Sequence, residues 1–107
     1  MCSSLKETHI PTSVSALPAY LFYQCFSLKE IFIPKNIKTI NACCFFYNYS
    51  LKKIEFEATT PPTVSASNAF TGISSDCVIY VPKGSLTAYT TATNYPDPTI
   101  YIYIEKG

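Results

Sequence analysis

Three stretches of the chain repeat one another at a fixed spacing. Leu5, Leu28 and Leu51 stand 28−5 = 23 and 51−28 = 23 residues apart, and Pro11 and Pro34 keep the same step. A fixed period of roughly 20–50 residues is typical of a solenoid, in which each unit buries its apolar face only by stacking on its neighbours. We therefore expect stacked rungs at residues 2–24, 25–48 and 49–76, followed by a last strand at residues 77–82.

Each rung begins with an alternating apolar pattern that predicts a β-strand. Pro11 and Pro34 should end the strand, because proline has no N–H for a ladder and its fixed φ turns the chain. The predicted inward residues are Leu5, Thr8 and Ile10, then Leu28, Ile31 and Ile33, then Leu51, Ile54 and Phe56.

The second half of each rung should form the opposite wall of the core. The apolar pairs Val14/Leu17 and Ile37/Ile40 would face inward there. An aromatic-rich run follows at residues 19–23 and 42–47, which we interpret as a short helical turn with Phe22 and Phe45 as core plugs.

The third copy departs from the period, and the tail differs from it altogether. Pro61-Pro62 predicts an extended stretch, after which Ala69-Phe70 takes the place of Cys44-Phe45. Residues 83–107 are interpreted as a C-terminal cap, with Ser85 capping a helix at Leu86–Ala92 and an alternating strand at Ile100–Lys106. No N-terminal cap is recognisable, so the first rung is expected to expose an apolar end that could self-associate, as in a chain cut from a longer protein.

Composition excludes several classes of function. The 107 residues have a net charge of +1 and only 14% charged residues, against roughly 25% in an average soluble protein. Nucleic acid is therefore not an expected partner, because no basic face can neutralise phosphates. No apolar run reaches the roughly 20 residues that span a membrane. With one His and no C-x-x-C motif, we expect neither a metal site nor any cofactor.

The five cysteines do not indicate a disulfide framework. Cys2, Cys25 and Asn48 occupy the same position in successive copies, which suggests a side chain buried at a turn and bonded to backbone carbonyls. Because stacked rungs lie about 4.8 Å apart, a Cys2–Cys25 disulfide is also geometrically possible. The sequon Asn48-Tyr49-Ser50 would then be accidental, since Asn48 would lie inside.

The stretches CSSLKETHIP, CFSLKEIFIP and YSLKKIEF resemble the BspA-like (treponemal-type) leucine-rich repeats of bacterial surface proteins. The ending is also similar to that family's final module, with ATTPP, NAF, CVIYVPKGSLTAY and NYPD. The resemblance implies a leucine-rich-repeat solenoid of about four rungs, with a parallel sheet on one face and short helical turns on the back. It also implies a secreted or surface-anchored protein that adheres to a protein or glycan ligand, such as one of the host extracellular matrix.

In such a solenoid, the outward residues of the strands stack into columns across one face. The central column would contain His9, Phe32, Glu55 and Tyr80, and a flanking column would contain Glu30 and Lys53. Exposed aromatic residues beside charges are typical of binding hot spots. The alternative is that these are ordinary solvated strand residues, since single exposed apolar side chains are common.

Catalysis is not expected. His9 could act as a base for a cysteine nucleophile only if the two side chains met, but His9 should point outward and the cysteines of the repeat position inward. No third residue that could orient the histidine stands at a recognisable spacing. Glu55 and Glu57 could share a strand face, but a hydrolase would also need a cleft. Two hypotheses remain: a non-catalytic adhesion module that binds through the strand face, and a purely structural capping segment of a longer solenoid whose binding occurs elsewhere.

Overall fold

The computed structural model describes residues 10–106 of the chain. In these residues the chain forms about four turns of a mostly-β, parallel-sheet solenoid. The elements are β1 (Ala16–Leu17), β2 (Glu30–Ile33), β3 (Thr39–Ile40), β4 (Lys53–Phe56), β5 (Thr63–Val64), β6 (Val78–Val81), α1 (Leu86–Thr90) and β7 (Ile102–Glu105).

The front wall is a parallel sheet of order β2-β4-β6-β7. Its register follows the repeat, because Ile31 pairs with Ile54 and Ile54 with Ile79. The buried–exposed alternation along β2, β4 and β6 places one apolar set in the core and the other residues outward. The predicted inward residues of the second and third copies are confirmed, whereas Leu5 and Thr8 lie outside the described residues. Pro34 and Pro82 directly follow β2 and β6, as predicted.

The back wall contains a second parallel sheet, of order β1-β3-β5. Each strand has two residues, and its buried member is Leu17, Ile40 or Val64. Burial of the apolar pairs on this wall was predicted, but the strands themselves were not. Pro61-Pro62 leads directly into β5, consistent with the extended stretch expected there.

The predicted short helical turns on the back are not formed. Residues 19–24 and 42–47 fold as successive tight turns, with Tyr20, Gln24, Cys43 and Tyr47 at positive φ. Left-handed residues cannot continue a right-handed helix. Backbone N–H groups instead alternate between a carbonyl three residues earlier and a carbonyl on the next rung, as in Leu21 N to Pro18 O and Phe22 N to Cys44 O. The turns therefore form hydrogen-bonded ladders between rungs.

A column of phenylalanine rings, from the turns that follow the strands of the back sheet, packs in the core. Phe45 stacks on Phe22 with ring centroids 5.4 Å apart, and on Phe70 with centroids 5.3 Å apart. Phe45 is fully buried, and Phe22 and Phe70 are at least 94% buried. The predicted equivalence of Ala69-Phe70 with Cys44-Phe45 is therefore confirmed, and each rung contributes one ring to the core.

Helix α1 and strand β7 close the C-terminal end of the core. Tyr89 of α1 is fully buried and donates to Ala58 O at 2.6 Å, while Tyr101 and Tyr103 turn inward and donate to Ile73 O and Pro96 O. The helix ends two residues earlier than predicted, at Thr90. The Ser85 hydroxyl does not cap it; it donates to Pro82 O at 2.6 Å. The division of the chain into rungs and a cap at residues 83–107 stays a prediction.

Candidate binding surface

The outward residues of the front sheet form two columns across the strands. Phe32 pairs with Glu55, Glu55 with Tyr80, and Tyr80 with Ile104. Parallel pairing in register places these side chains directly beside one another on one face. The stacking order predicted for Phe32, Glu55 and Tyr80 is therefore the one observed, and β7 extends the column by Ile104. His9, the first predicted member, lies outside the described residues.

The flanking column runs parallel to the first. Glu30 pairs with Lys53, Lys53 with Val78, and Val78 with Ile102. Glu30 and Lys53 thus lie side by side, as predicted. The sequence predicts that Tyr101 and Tyr103 cover the core, as observed, but it did not place Ile102 and Ile104 in these columns, because the pairing of β7 with β6 was not predicted.

The centre of this surface is held by charged contacts. The Glu55 carboxylate forms an ion pair with the Lys53 ammonium at 3.6 Å and a second, shorter ion pair with the Lys106 ammonium. The Lys53 ammonium also lies 5.2 Å from the centroid of the Tyr80 ring, within cation–π range. Only 18% of the Glu55 side chain is exposed, so the two lysines and the neighbouring rings screen it from water. These contacts fix the orientation of Glu55 and Tyr80 before any ligand arrives.

The apolar members of the columns remain accessible. Phe32 is 42% exposed, Ile102 62% and Ile104 40%, while Tyr80 and Val78 are half-buried. A groove of about 320 Å³ opens at the carboxyl ends of the strands, beside Phe32 and Lys106. The face can therefore contact a partner through exposed apolar groups arranged around one fixed carboxylate.

The residues considered for catalysis do not form a catalytic arrangement within the described range. Glu57 accepts the Lys35 N–H at 2.9 Å, while Glu55 is bound by lysines. Cys44 and Cys77 are buried free thiols, and burial raises the pKa of each to about 12, so neither is a ready nucleophile. Among residues 10–106 no group of three His, Cys, Asp or Glu could hold a metal ion, and no helix is long and apolar enough to cross a membrane.

The repeat position shared by Cys25 and Asn48 is buried, as predicted. Asn48 is fully buried and donates from Nδ2 to Phe22 O at 2.7 Å, which places the sequon inside the solenoid. Cys25 is also fully buried and is disulfide-bonded. This bond departs from the expectation that the cysteines do not indicate a disulfide framework. Since Cys2 lies outside the described residues, the Cys2–Cys25 disulfide stays the geometric possibility that the sequence left open.

The repeat is also recognised by comparison with known families. The family model described as "BspA type Leucine rich repeat region (6 copies)" matches residues 1–93. The chain matches no curated protein. Leucine-rich-repeat proteins of this kind are generally non-catalytic, engage in protein–protein interaction and are typically secreted or at the cell surface. Since the match spans most of the sequence, and the fold has the parallel rungs that the repeat predicts, the chain belongs to the BspA-type leucine-rich-repeat family.

Proposed function

We propose that the chain is a non-catalytic adhesion module of a secreted or cell-surface protein, and that it binds a protein ligand through the front sheet. The observation that supports this most is the column of Phe32, Glu55, Tyr80 and Ile104. It combines exposed apolar side chains with a carboxylate already held by two lysines.

Hot spots at protein interfaces are enriched in aromatic residues that become desolvated at the centre of the contact. Phe32 is 42% exposed, so a bound partner could bury the part of its side chain that is now in contact with water. Only 18% of the Glu55 side chain, which is ion-paired with Lys53 and Lys106, is exposed, so a partner placed over this column would strengthen charge pairs that already exist. Because these groups are fixed, binding costs little additional side-chain entropy. Extracellular-matrix proteins of a host are the ligand class that we propose.

The experiment is a pull-down of the folded chain against immobilised laminin, fibronectin and collagen. The test variant is Phe32→Ala/Tyr80→Ala, and the matched control is Leu21→Ala, which removes an equally exposed apolar side chain (42%) from a turn outside the front sheet. We expect selective capture by at least one matrix protein, weakened by about tenfold or more in the double variant and unchanged in the control. Circular dichroism spectra that match the wild type would show that each variant is folded.

The second candidate function is a structural cap for a longer solenoid. It is favoured by the inward tyrosines of β7 and by Tyr89, which close the C-terminal end of the core with hydrogen bonds to backbone carbonyls. If this is the only role, no matrix protein is captured and Phe32→Ala/Tyr80→Ala changes nothing. Loss of cooperative unfolding on deletion of residues 98–107 would then support the capping role.

A further inference from the structure

A second surface lies on the turns that lead from the back sheet to the front sheet. We call it the aromatic edge. Its rings form one unbroken series of contacts, with neighbouring centroids between 4.1 and 5.5 Å apart. In order along the series, the aromatic edge consists of Tyr20, Tyr23, Phe46, Tyr47, Tyr49 and Phe26.

The rings of the aromatic edge are held in place by the repeat itself. Residues 23 apart stack almost parallel: Tyr23 on Phe46 at 5.5 Å and 2°, and Phe26 on Tyr49 at 5.5 Å and 5°. The Tyr47 ring lies against Gly72, where a Cβ would fall 2.2 Å from the Tyr47 Cδ1 atom. Since Gly72 also has φ of +82°, only glycine suits this position. A ligand would therefore meet rings that are already ordered, and little rotamer entropy would be lost on binding.

The tyrosines of the aromatic edge differ from the tyrosines inside the fold. Tyr89, Tyr95, Tyr101 and Tyr103 each donate the hydroxyl to a backbone carbonyl. In the described part of the chain, no protein atom accepts a hydrogen bond from the hydroxyls of residues 23, 47 and 49. Three phenol groups therefore present free donors and acceptors beside exposed ring surface, and position 49 is 58% exposed.

The aromatic edge is also uncharged. Residues 16–28, 39–51 and 64–75, which form the corresponding part of three successive rungs, contain no Lys, Arg, His, Asp or Glu. Protein partners commonly use complementary charges for steering and for specificity, and no side chain of these three segments provides one. An anionic glycan would likewise find no cation within them to neutralise its charge.

We propose that the aromatic edge binds a neutral polysaccharide built from hexopyranose units. A pyranose ring has an apolar face of C–H groups and a rim of hydroxyls, so it suits an exposed aromatic ring with phenolic donors and acceptors around it. A polysaccharide repeats its units along one direction, as the stacked rings do along the solenoid. This surface would act separately from the front sheet, and the protein would have two binding faces for two chemical classes of ligand.

The experiment is affinity gel electrophoresis of the full chain through gels containing hydroxyethyl cellulose, yeast mannan or a soluble β-1,3-glucan, with polygalacturonate as the anionic comparison. We expect retardation by at least one neutral polysaccharide, little affected by salt. Tyr49→Ala should weaken binding of the polysaccharide about tenfold or more, because the Tyr49 ring is 58% exposed and contacts the rings of both Phe26 and Tyr47. The triple variant Tyr23→Phe/Tyr47→Phe/Tyr49→Phe keeps the rings and should weaken it by a smaller factor.

Tyr80→Ala is the matched control, because it removes a tyrosine from the front sheet and should leave retardation unchanged. Absence of retardation by all three neutral polysaccharides would overturn the proposal, as would equal retardation of the wild type and Tyr49→Ala. Light scattering that shows a dimer dissociated by Tyr49→Ala would also overturn it, since the edge would then bind a second copy of the chain.

Discussion

Replacing Phe45 by alanine should remove a large part of the stability of the fold. Phe45 is fully buried and stacks on Phe22 at 5.4 Å and on Phe70 at 5.3 Å, so one substitution interrupts the ring column in its centre. Truncation of a core phenylalanine costs about 3–5 kcal/mol, and each aromatic pair contributes about 0.5–1.5 kcal/mol beyond its buried area. With two pairs lost, we expect the upper part of that range, about 4–5 kcal/mol.

This loss is large for a chain of 107 residues, whose whole free energy of unfolding is about 5–15 kcal/mol at about 0.05–0.15 kcal/mol per residue. The assay is urea unfolding followed by circular dichroism and by tyrosine fluorescence, which is usable because the chain has no Trp. With an m-value of about 2 kcal/mol/M, the midpoint should fall by about 2 M.

Two variants make this test decisive even if Phe45→Ala does not fold. Phe45→Leu keeps most of the apolar volume but loses both ring stacks, and should cost about 1–2 kcal/mol. Phe32→Ala is the same chemical change at an exposed front-sheet position and should cost no more than about 0.5 kcal/mol. A Phe45→Ala protein whose midpoint lies within about 0.5 M of the wild type would refute the inward assignment of the rings and the packing derived from it.

Three further predictions concern buried polar groups. Asn48→Ala removes the shorter of two hydrogen bonds to the Phe22 carbonyl, which keeps the Cys25 N–H at 3.3 Å, and should lower the free energy of unfolding by about 0.5–1.5 kcal/mol in the same urea assay; an unchanged midpoint would contradict the buried hydrogen bond. Burial raises the pKa of the Tyr89 and Tyr103 phenols above the ordinary 10.0, so the folded state binds these protons more tightly than the unfolded state. The stability that they contribute is present below pH 10 and is lost as pH rises above it. The buried Cys44 and Cys77 thiols, whose pKa is raised from 9.0, add a loss of the same sign that begins near pH 9. Urea midpoints should therefore be constant from pH 6 to 7 and fall most steeply from pH 10 to 11; a flat profile would contradict this. The Cys44 and Cys77 thiols, with pKa raised by burial to about 12, should react with a disulfide reagent at pH 8 only after urea is added, and rapid labelling of either in the native state would show that it is accessible.

Much of the fold follows from the 23-residue step, because residues at equivalent positions must lie one above another in a solenoid. That reasoning was sufficient for the strand register, for the column of Phe32, Glu55 and Tyr80, and for the ring column through Phe45. Burial of Asn48 also followed, since a position filled by Cys in one rung and by Asn in another indicates an interior site at a turn.

The turns on the back could not be predicted in the same way. A helical turn and a series of tight turns bury the same aromatic residues, so the apolar pattern does not separate them. The tight turns form because four residues adopt positive φ, namely Tyr20, Gln24, Cys43 and Tyr47. None of these residue types commonly adopts positive φ, so the sequence does not indicate the tight turns. Gly72 provides the one clue, because it aligns with Tyr47 and is itself left-handed.

The inward orientation of Tyr101 and Tyr103 in β7 agrees with the expectation from the sequence that this pair covers the core. Their hydrogen bonds to Ile73 O and Pro96 O could not be predicted, because only the tertiary structure brings these carbonyls near. The aromatic edge was missed. The aromatic edge did leave a signal in the sequence, since Tyr23 and Phe46, like Phe26 and Tyr49, stand 23 residues apart. We expect stacked outward rings wherever a solenoid repeats an aromatic residue at an exposed turn position.

The central claim, that the front sheet is the surface for a protein ligand, is tested most directly by NMR mapping of the isotope-labelled chain during titration with a captured matrix protein. The account predicts that the largest shift changes and line broadening lie in residues 30–33, 53–56 and 78–81, with Ile102 and Ile104 affected at the edge of the contact. Changes confined to the turns at residues 20–27 and 46–50, or no change in a chain that is fully folded, would contradict it.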